Sequence, residues 1–223
     1  MKGILLVNKA PSSTSFHIVS LLRRLTKEKT IGHAGTLDPF ATGVMVMLIG
    51  REFTRRSNEF LLADKQYQTT LHLGIETDSY DVDGKITSRS QIIPTLVDVE
   101  SVITSFQGEI FQTPPMFSAK KINGKKLYEL ARKAIEVERK PVKVHLKIEL
   151  LSYAYPYLEL LVDCSKGTYI RSLAHDIGNI LQCGAHLSKL VRLRSGSFTL
   201  DECVNQELLK HPEFILQKLR LDK

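Results

Sequence analysis

The sequence predicts an α+β fold with a mixed, mostly antiparallel central sheet, flanking helices and a basic insertion. Two observations carry that expectation. Strand-like and helix-like stretches are interspersed with no regular βαβ repeat. The strongest periodicity in the chain is a two-residue one. Val142, Val144, Leu146, Ile148 and Leu150 alternate with Lys143, His145, Lys147 and Glu149, the pattern of a half-buried strand.

The remaining elements follow in order. Ile4 to Val7 forms a short apolar run suited to a buried strand. Ser13, Thr14 and Ser15 offer helix caps before Ile18, Leu21, Leu22 and Leu25; this i, i+3, i+4, i+7 spacing predicts an amphipathic helix ending near Lys27. A glycine-rich loop and an apolar run from Val44 to Ile49 come next. Tyr67, Thr69, Leu71 and Leu73 alternate with Gln66, Gln68, Thr70 and His72, predicting a strand. Asp83-Gly84 suits a hairpin turn. Val99, Val102, Ile103 and Phe106 make a helical stripe stopped by Gly108. Leu127, Leu130, Ala131 and Ala134 make another, ending before Pro141. Tyr157 to Cys164 suits a strand, and Ile170, Leu173, Ala174, Ile177 and Leu181 a helix.

With 223 residues, the chain is long enough for a substantial core. Hydrophobic residues at 43% and charged residues at 25% fit a soluble globular protein. No apolar run approaches the ~20 residues of a membrane helix. Three cysteines without a CxxC pair argue against a disulfide framework or thiolate zinc site, so a reducing cytoplasm is expected. The net charge of +7 is unevenly placed. Residues 1–56 hold 9 basic and 3 acidic side chains, and residues 118–147 hold 10 and 3. Residues 57–117 reverse the balance with 3 and 9, and residues 148–223 are neutral with 9 and 9. Two basic blocks suit a polyanion such as nucleic acid, or else a solvated basic surface.

Several signatures are missing. The chain has no GxxxxGK[ST], no GxGxxG after a strand and no HExxH. Asp81, Asp83 and Gly84 hint at a calcium loop, but its first and twelfth positions would be Ser79 and Ser90. Ser172, His175 and Asp176 lie on one helix without a nucleophile elbow. No metal and no cofactor is expected.

One loop stands apart: Gly32-His33-Ala34-Gly35-Thr36-Leu37-Asp38-Pro39-Phe40-Ala41-Thr42-Gly43. A single carboxylate sits among glycines, which let a backbone approach a ligand closely. Pro39 holds Asp38 extended. The apolar run beside it suggests a partly desolvated site in which a charge needs a partner. Taken alone, an Asp-Pro pair is as well explained by a turn or a helix cap.

The wider pattern resembles the TruB family of tRNA pseudouridine synthases. The loop is similar to the family's catalytic motif, and Gly3 to Lys9 with Thr14-Ser15 resembles its opening segment. Lys65-Gln66-Tyr67 resembles its second motif. Pro114 to Lys120 and Gly124 to Arg132 resemble its RNA-gripping segment. Cys164 to Ala174 resembles the third motif, and Gly184 to Arg192 the stretch that follows. The matches cover about residues 1–200, in order.

The resemblance implies conversion of uridine to pseudouridine at position 55, in the T loop of tRNA. The N1–C1′ bond breaks, the uracil turns, and C5 bonds to C1′. Asp38 would be the essential catalyst, attacking C1′ or taking the 2′ proton toward a glycal. Both routes need an ionised carboxylate, which a neighbouring cation favours; by resemblance that cation is Arg171, rather than a solvated helix residue. Tyr67 would stack on the flipped uracil or pack in the core. Leu190 would form pocket wall, core or both. His33 would help hold the opened RNA loop, or be a polar loop residue. Lys9 and Lys65 would be phosphate or structural contacts. Lys120, Lys121, Lys125 and Lys126 of the 118–147 insertion would grip the T arm.

Residues 1–200 are expected to form the catalytic domain, and 201–223 a short helical tail around Leu208 to Leu219. That leaves no room for the RNA-binding PUA domain of many family members. A monomer is expected. The competing reading is a tRNA-folding chaperone with little turnover, against which the joint presence of Asp38, Tyr67 and Arg171 argues. A glycosidase would need two flanking carboxylates.

Overall fold

The computed structural model describes residues 1–118, 120–122, 124–133, 135–211, 215 and 217–221; of residues 121, 122 and 126 it describes the backbone alone. In chain order the elements begin with β1 (Gly3–Lys9), α1 (Ser15–Thr26), β2 (Ile31–His33) and β3 (Thr42–Ile49). Then come α2 (Arg51–Arg55), α3 (Ser57–Leu61), β4 (Lys65–Leu73), β5 (Ile75–Thr77) and β6 (Ile86–Arg89). Next are α4 (Leu96–Ser105), β7 (Gly108–Gln112), β8 (Lys121–Ile122), β9 (Lys125–Lys126) and α5 (Leu127–Ala131). The last are β10 (Val142–Ala154), β11 (Tyr157–Cys164), α6 (Ile170–Ile180), β12 (Ala185–Ser195), β13 (Phe198–Thr199) and β14 (Val204–Asn205). The main sheet has ten strands, most of them paired antiparallel, as expected.

The chain divides into two compact units, Met1–Gln68 with Leu190–Lys223, and Thr69–Lys189. In the first, β1 pairs antiparallel with β3 along its whole length and parallel with β14. Both β1 and β3 are buried nearly throughout, so they carry continuous apolar runs rather than alternation. Ile4, Leu6, Val44, Val46 and Leu48 cluster with Phe53, Phe60 and Phe198. Helix α1 is capped by Thr14, whose hydroxyl accepts from His17 N at 3.1 Å, and it ends at Lys27 with φ 58°. Ile18 and Leu22 are buried; Leu21 and Leu25 are half-buried at the edge of the stripe.

A close approach fixes the parallel pairing of β3 with β12 in this unit. Gly43 stands opposite Arg192 with φ 106°, and a Cβ there would lie 2.2 Å from Arg192 O. No L side chain fits, which explains the glycine closing the Asp38 loop.

In the C-terminal segment, where a short helical tail is expected around Leu208 to Leu219, residues 215, 217 and 218 are helical, and the chain before them pairs with β1. Val204 and Asn205 add a strand to β1, and Gln206–Lys210 is a 3₁₀ turn. Arg220 exchanges main-chain hydrogen bonds with Ile4 at 2.8 and 2.9 Å. Residues 212–214 and 216 of the expected helix lie outside the described residues. Val204, Leu209 and Ile215 of this segment are buried, and its main-chain bonds to β1 satisfy strand edge groups.

In the second unit β10 pairs with β11 and β7, its lysines exposed and Val144, Leu146 and Ile148 buried. Beyond the end of β7, the Gln107 side-chain amide takes over the ladder, bonding Ile148 N and O at 2.9 and 2.6 Å. Helix α4 starts at a Thr95–Asp98 capping box. Thr70, on the face of β4 opposite Leu71 and Leu73, is also buried. Ser188 Oγ covers its carbonyl at 3.0 Å, while Thr69 Oγ1 bonds Lys189 O, so both faces of β4 are covered here. Asp83-Gly84 lies in the connection between β5 and β6, as expected, and that connection holds Ser79 and Asp81 buried. The stripe from Leu127 folds as the short α5, and Ala134 lies outside the described residues.

Helix α6 buries every residue of its predicted stripe. It also half-buries Asp176, and desolvation lifts that carboxyl from its ordinary 3.8 to about 6.

Two outcomes are expected. Gly43→Ala lowers unfolding stability by at least about 2 kcal/mol, from steric overlap with β12 and the positive φ, measured by denaturant titration. Asp176→Asn raises stability at pH 7 by about 1 kcal/mol once solvent screening is allowed for. Because the folded pKa is raised, the parent is penalised only as pH rises from 3.8 through about 6. The gain is therefore absent below pH 3.8; an equal gain there would refute the desolvation argument.

Candidate active site

The Asp38 loop is held from both sides by buried groups of the first unit. Ser15, at the start of α1, clamps the preceding residue. Its hydroxyl accepts from Leu37 N at 3.0 Å and donates to Leu37 O at 3.1 Å. Lys9, at the end of β1 and fully buried, grips the following residue. Its Nζ donates to Pro39 O at 3.0 Å, Ser13 O at 2.7 Å and Ala10 O at 2.9 Å. Burying an ammonium is costly unless each N–H finds an acceptor, and three carbonyls supply them. Ala41 N donates to Asp38 O at 3.1 Å, closing the turn.

Arg192 anchors the upstream end. Its guanidinium is 1% exposed, with Nε donating to Val44 O at 2.7 Å and Nη2 to Gly35 O at 3.1 Å. The main chain around Asp38 is thus fixed at Gly35, Leu37, Pro39 and Val44, while Asp38 itself is half-buried. A carboxylate so placed can reach a ligand without the loop reorganising.

His33 ends β2 at the entrance to this loop. Burial, and then the Arg192 charge, lowers its pKa below the ordinary imidazole value, favouring the neutral ring. Its buried Nδ1 has no hydrogen-bond partner among the described residues.

Lys65 donates to Phe60 O at 3.3 Å, Leu61 O at 2.8 Å and Ala63 O, capping the end of α3. Lys9 and Lys65 are thus both buried, and each donates to main-chain carbonyls. Tyr67, two residues beyond Lys65, is 9% exposed on β4, and Leu190 is 6% exposed on β12. Lys9, His33, Asp38, Lys65, Tyr67 and Leu190 all belong to the first unit.

Arg171, Lys120 and Lys121 belong to the second. Arg171 is 4% exposed, not a solvated helix residue. It forms an ion pair with the buried Asp81 at 3.3 Å and donates to Ser79 O at 3.1 Å and Phe117 O at 2.6 Å. Asp81 is itself fixed by Ser79 Oγ at 2.6 Å and Asp83 N at 3.1 Å. A Cβ on Gly84 would lie 2.2 Å from Ser79 Oγ, so this turn also needs its glycine. Tyr80, between these two Arg171 partners, adopts φ 64° and stacks on His175 at 3.9 Å, one helical turn beyond Arg171.

The same helix end holds the entry to the basic insertion. Tyr169 N donates to Gln112 Oε1 at 2.7 Å and Ser172 Oγ to Thr113 O at 2.8 Å. Lys120 is half-buried and its carbonyl accepts from Leu127 N at 2.9 Å. Lys121 lies in β8, and its side chain lies outside the described residues.

Sequence reasoning missed Asp81 and gave Arg192 no role. Asp81 was weighed only as a calcium ligand, and its single-residue context gave no sign of a partner ninety residues away. Arg192 alternates with Val191 and Leu193, a spacing that suits an outward cation, whereas the fold buries it. Among the described residues, no group of three or more His, Cys, Asp or Glu side chains is placed to hold a metal ion.

Comparisons with known proteins agree on one family. Residues 23–170 match the model of the TruB family pseudouridylate synthase N-terminal domain, and residues 171–219 that of the tRNA pseudouridylate synthase B C-terminal domain. The chain is 60% identical over 205 residues to tRNA pseudouridine synthase B of Protochlamydia amoebophila, covering 92% of this chain and 78% of that protein. It is 57% identical over 213 residues to the Chlamydia pneumoniae protein of the same name, covering 96% and 91%. Among solved structures, a chain of a Cbf5-Nop10-Gar1 complex is similar with TM-score 0.74 and 29% identity. That match covers 96% of this chain and 56% of the other, so this chain spans about half its length. On this agreement of sequence, model and fold, the chain belongs to the TruB family of pseudouridine synthases, isomerases that act on uridine in tRNA.

Proposed function

We propose that the chain isomerises the uridine at position 55, in the T loop of tRNA, with Asp38 as the essential carboxylate. The observation that carries this reading is the loop itself: Leu37 and Pro39 are clamped by Ser15 and Lys9, leaving Asp38 on a rigid turn within the family's catalytic motif. Rigid placement of one carboxylate suits attack at C1′ or removal of the 2′ proton, since either needs a reacting atom within hydrogen-bond reach.

Tyr67 supplies the aromatic face for the flipped uracil, with Leu190 as pocket wall. Neutral His33, with an unsatisfied Nδ1, is suited to hydrogen-bond the opened loop. Arg171 is the cation that the resemblance assigns to the Asp38 carboxylate. Lys120 and Lys121 take phosphates of the T arm. The reaction consumes no cofactor, and we place it in the cytoplasm, carried out by a monomer.

The test uses tRNA transcript tritiated at C5 of uridine. The parent protein should release one equivalent of tritium per tRNA. Asp38→Ala should release none while binding tRNA within about threefold of the parent. Turnover by Asp38→Ala would remove Asp38 from the chemistry, and a large loss of binding would make it a structural residue. Binding without release by the parent would favour the chaperone reading.

A further inference from the structure

The first basic block is left over once the loop and the insertion are explained. Lys9 is buried within it, but Lys2, Arg23, Arg24, Lys27, Arg51 and Arg55 are all exposed. They come from three stretches of chain that meet on one surface of the first unit. Arg23 Nη2 reaches Ile31 O, at the start of β2, at 3.4 Å. A Cβ on Gly32 would lie 3.6 Å from Thr54 Cγ2, in the helix that carries Arg51 and Arg55. Thr30 O accepts from Gly50 N at 2.7 Å, and a Cβ on Gly50 would lie 2.9 Å from Lys2 Cγ.

Little acid balances this surface. Helix α1 has no acidic residue. Glu28 turns its Oε1 back to Thr30 N at 2.9 Å, which leaves Glu52 as the exposed acid of α2. Among the described residues Lys2, Arg24, Lys27, Arg51 and Arg55 make no ion pair. Uncompensated like charges repel one another and give the fold nothing, but they attract a polyanion. Their position is also specific. Helix α1 starts at Ser15, which clamps the Asp38 loop, and its rise places Arg23, Arg24 and Lys27 about 12 to 18 Å further along its axis.

We propose that this surface, formed by the end of α1, the start of β2 and α2, binds backbone phosphates of tRNA as a second grip separate from the basic insertion. The proposal rests on tRNA being the substrate presented to the Asp38 loop. Only Arg23 among these cations has a ring contact among the described residues, 5.9 Å from the centre of the exposed Phe16 ring; Lys2, Arg24, Lys27, Arg51 and Arg55 present charge alone, which suits phosphate rather than base contacts.

The experiment measures binding of whole tRNA transcript by fluorescence anisotropy across a salt series, with tritium release by the parent as control. A second transcript carries cytidine in place of the target uridine. The quadruple variant Arg24→Gln, Lys27→Gln, Arg51→Gln, Arg55→Gln should bind both transcripts about tenfold more weakly near 0.1 M salt. Its log–log salt slope should be shallower by about one or more, because fewer counterions are released. The charge-preserving triple variant Arg24→Lys, Arg51→Lys, Arg55→Lys should keep the parent slope. A quadruple-variant slope within one of the parent, with the parent binding and converting tRNA, overturns the proposal. So does an equal loss in the triple variant, which would mean packing rather than charge. A parent that neither binds nor converts tRNA overturns the substrate reading and this proposal together.

Discussion

A fully buried ammonium with three carbonyl oxygens around it holds the Asp38 loop in place. Lys9 ties the end of β1, the turn before α1 and the residue after Asp38 to one point. A charge in such a place is tolerated only while every N–H has an acceptor. Moving any of the three strands of chain would cost this ammonium an acceptor. The same device recurs at Lys65 and Arg192, which also give their donors to main-chain carbonyls. Loops have few apolar contacts of their own, and buried cations bonded to carbonyls give these ones the rigidity that packing gives to strands.

The second unit uses its buried cation differently. Arg171 meets a carboxylate, Asp81, as well as two carbonyls, so charge and hydrogen bonding are both compensated. Its partners lie in the turn between β5 and β6 and at the threshold of the basic insertion. One side chain thus registers a helix end, a tight turn and the entry to the basic insertion. The Tyr80–His175 stack adds an apolar contact on the same helix face, which helps to hold Tyr80 in its left-handed backbone conformation.

Much of this was legible in the sequence where local pattern decides structure. The stripes of α1, α4 and α6 and the alternation of β10 were recovered because burial of one face follows directly from residue spacing. The Asp38 loop was legible as unusual, and its family resemblance gave it a meaning. The roles of Lys9 and Lys65 stayed open, because a lysine in sequence carries no sign of whether its ammonium meets a phosphate or a carbonyl. Asp81 and Arg192 were not assigned, since their partners are distant in sequence and set only by the fold. The pairing of Val204 and Asn205 with β1 was not legible for the same reason, since it depends on an open strand edge some two hundred residues away.

That docking has a consequence for how the molecule comes together. The first unit is discontinuous, built from residues 1–68 and 190–223, whereas the second is one continuous stretch. On a ribosome, β1 and β3 emerge early, but β12, β14 and the Arg220 contact arrive only after the whole intervening unit. The Asp38 loop gains its Arg192 anchor at that late stage. Closing so long a loop is entropically slow, while the continuous unit can condense on local contacts. A chain that stops before Arg192 therefore carries the Asp38 loop in sequence without its rigid frame, and that frame is completed only after the whole intervening unit has been made.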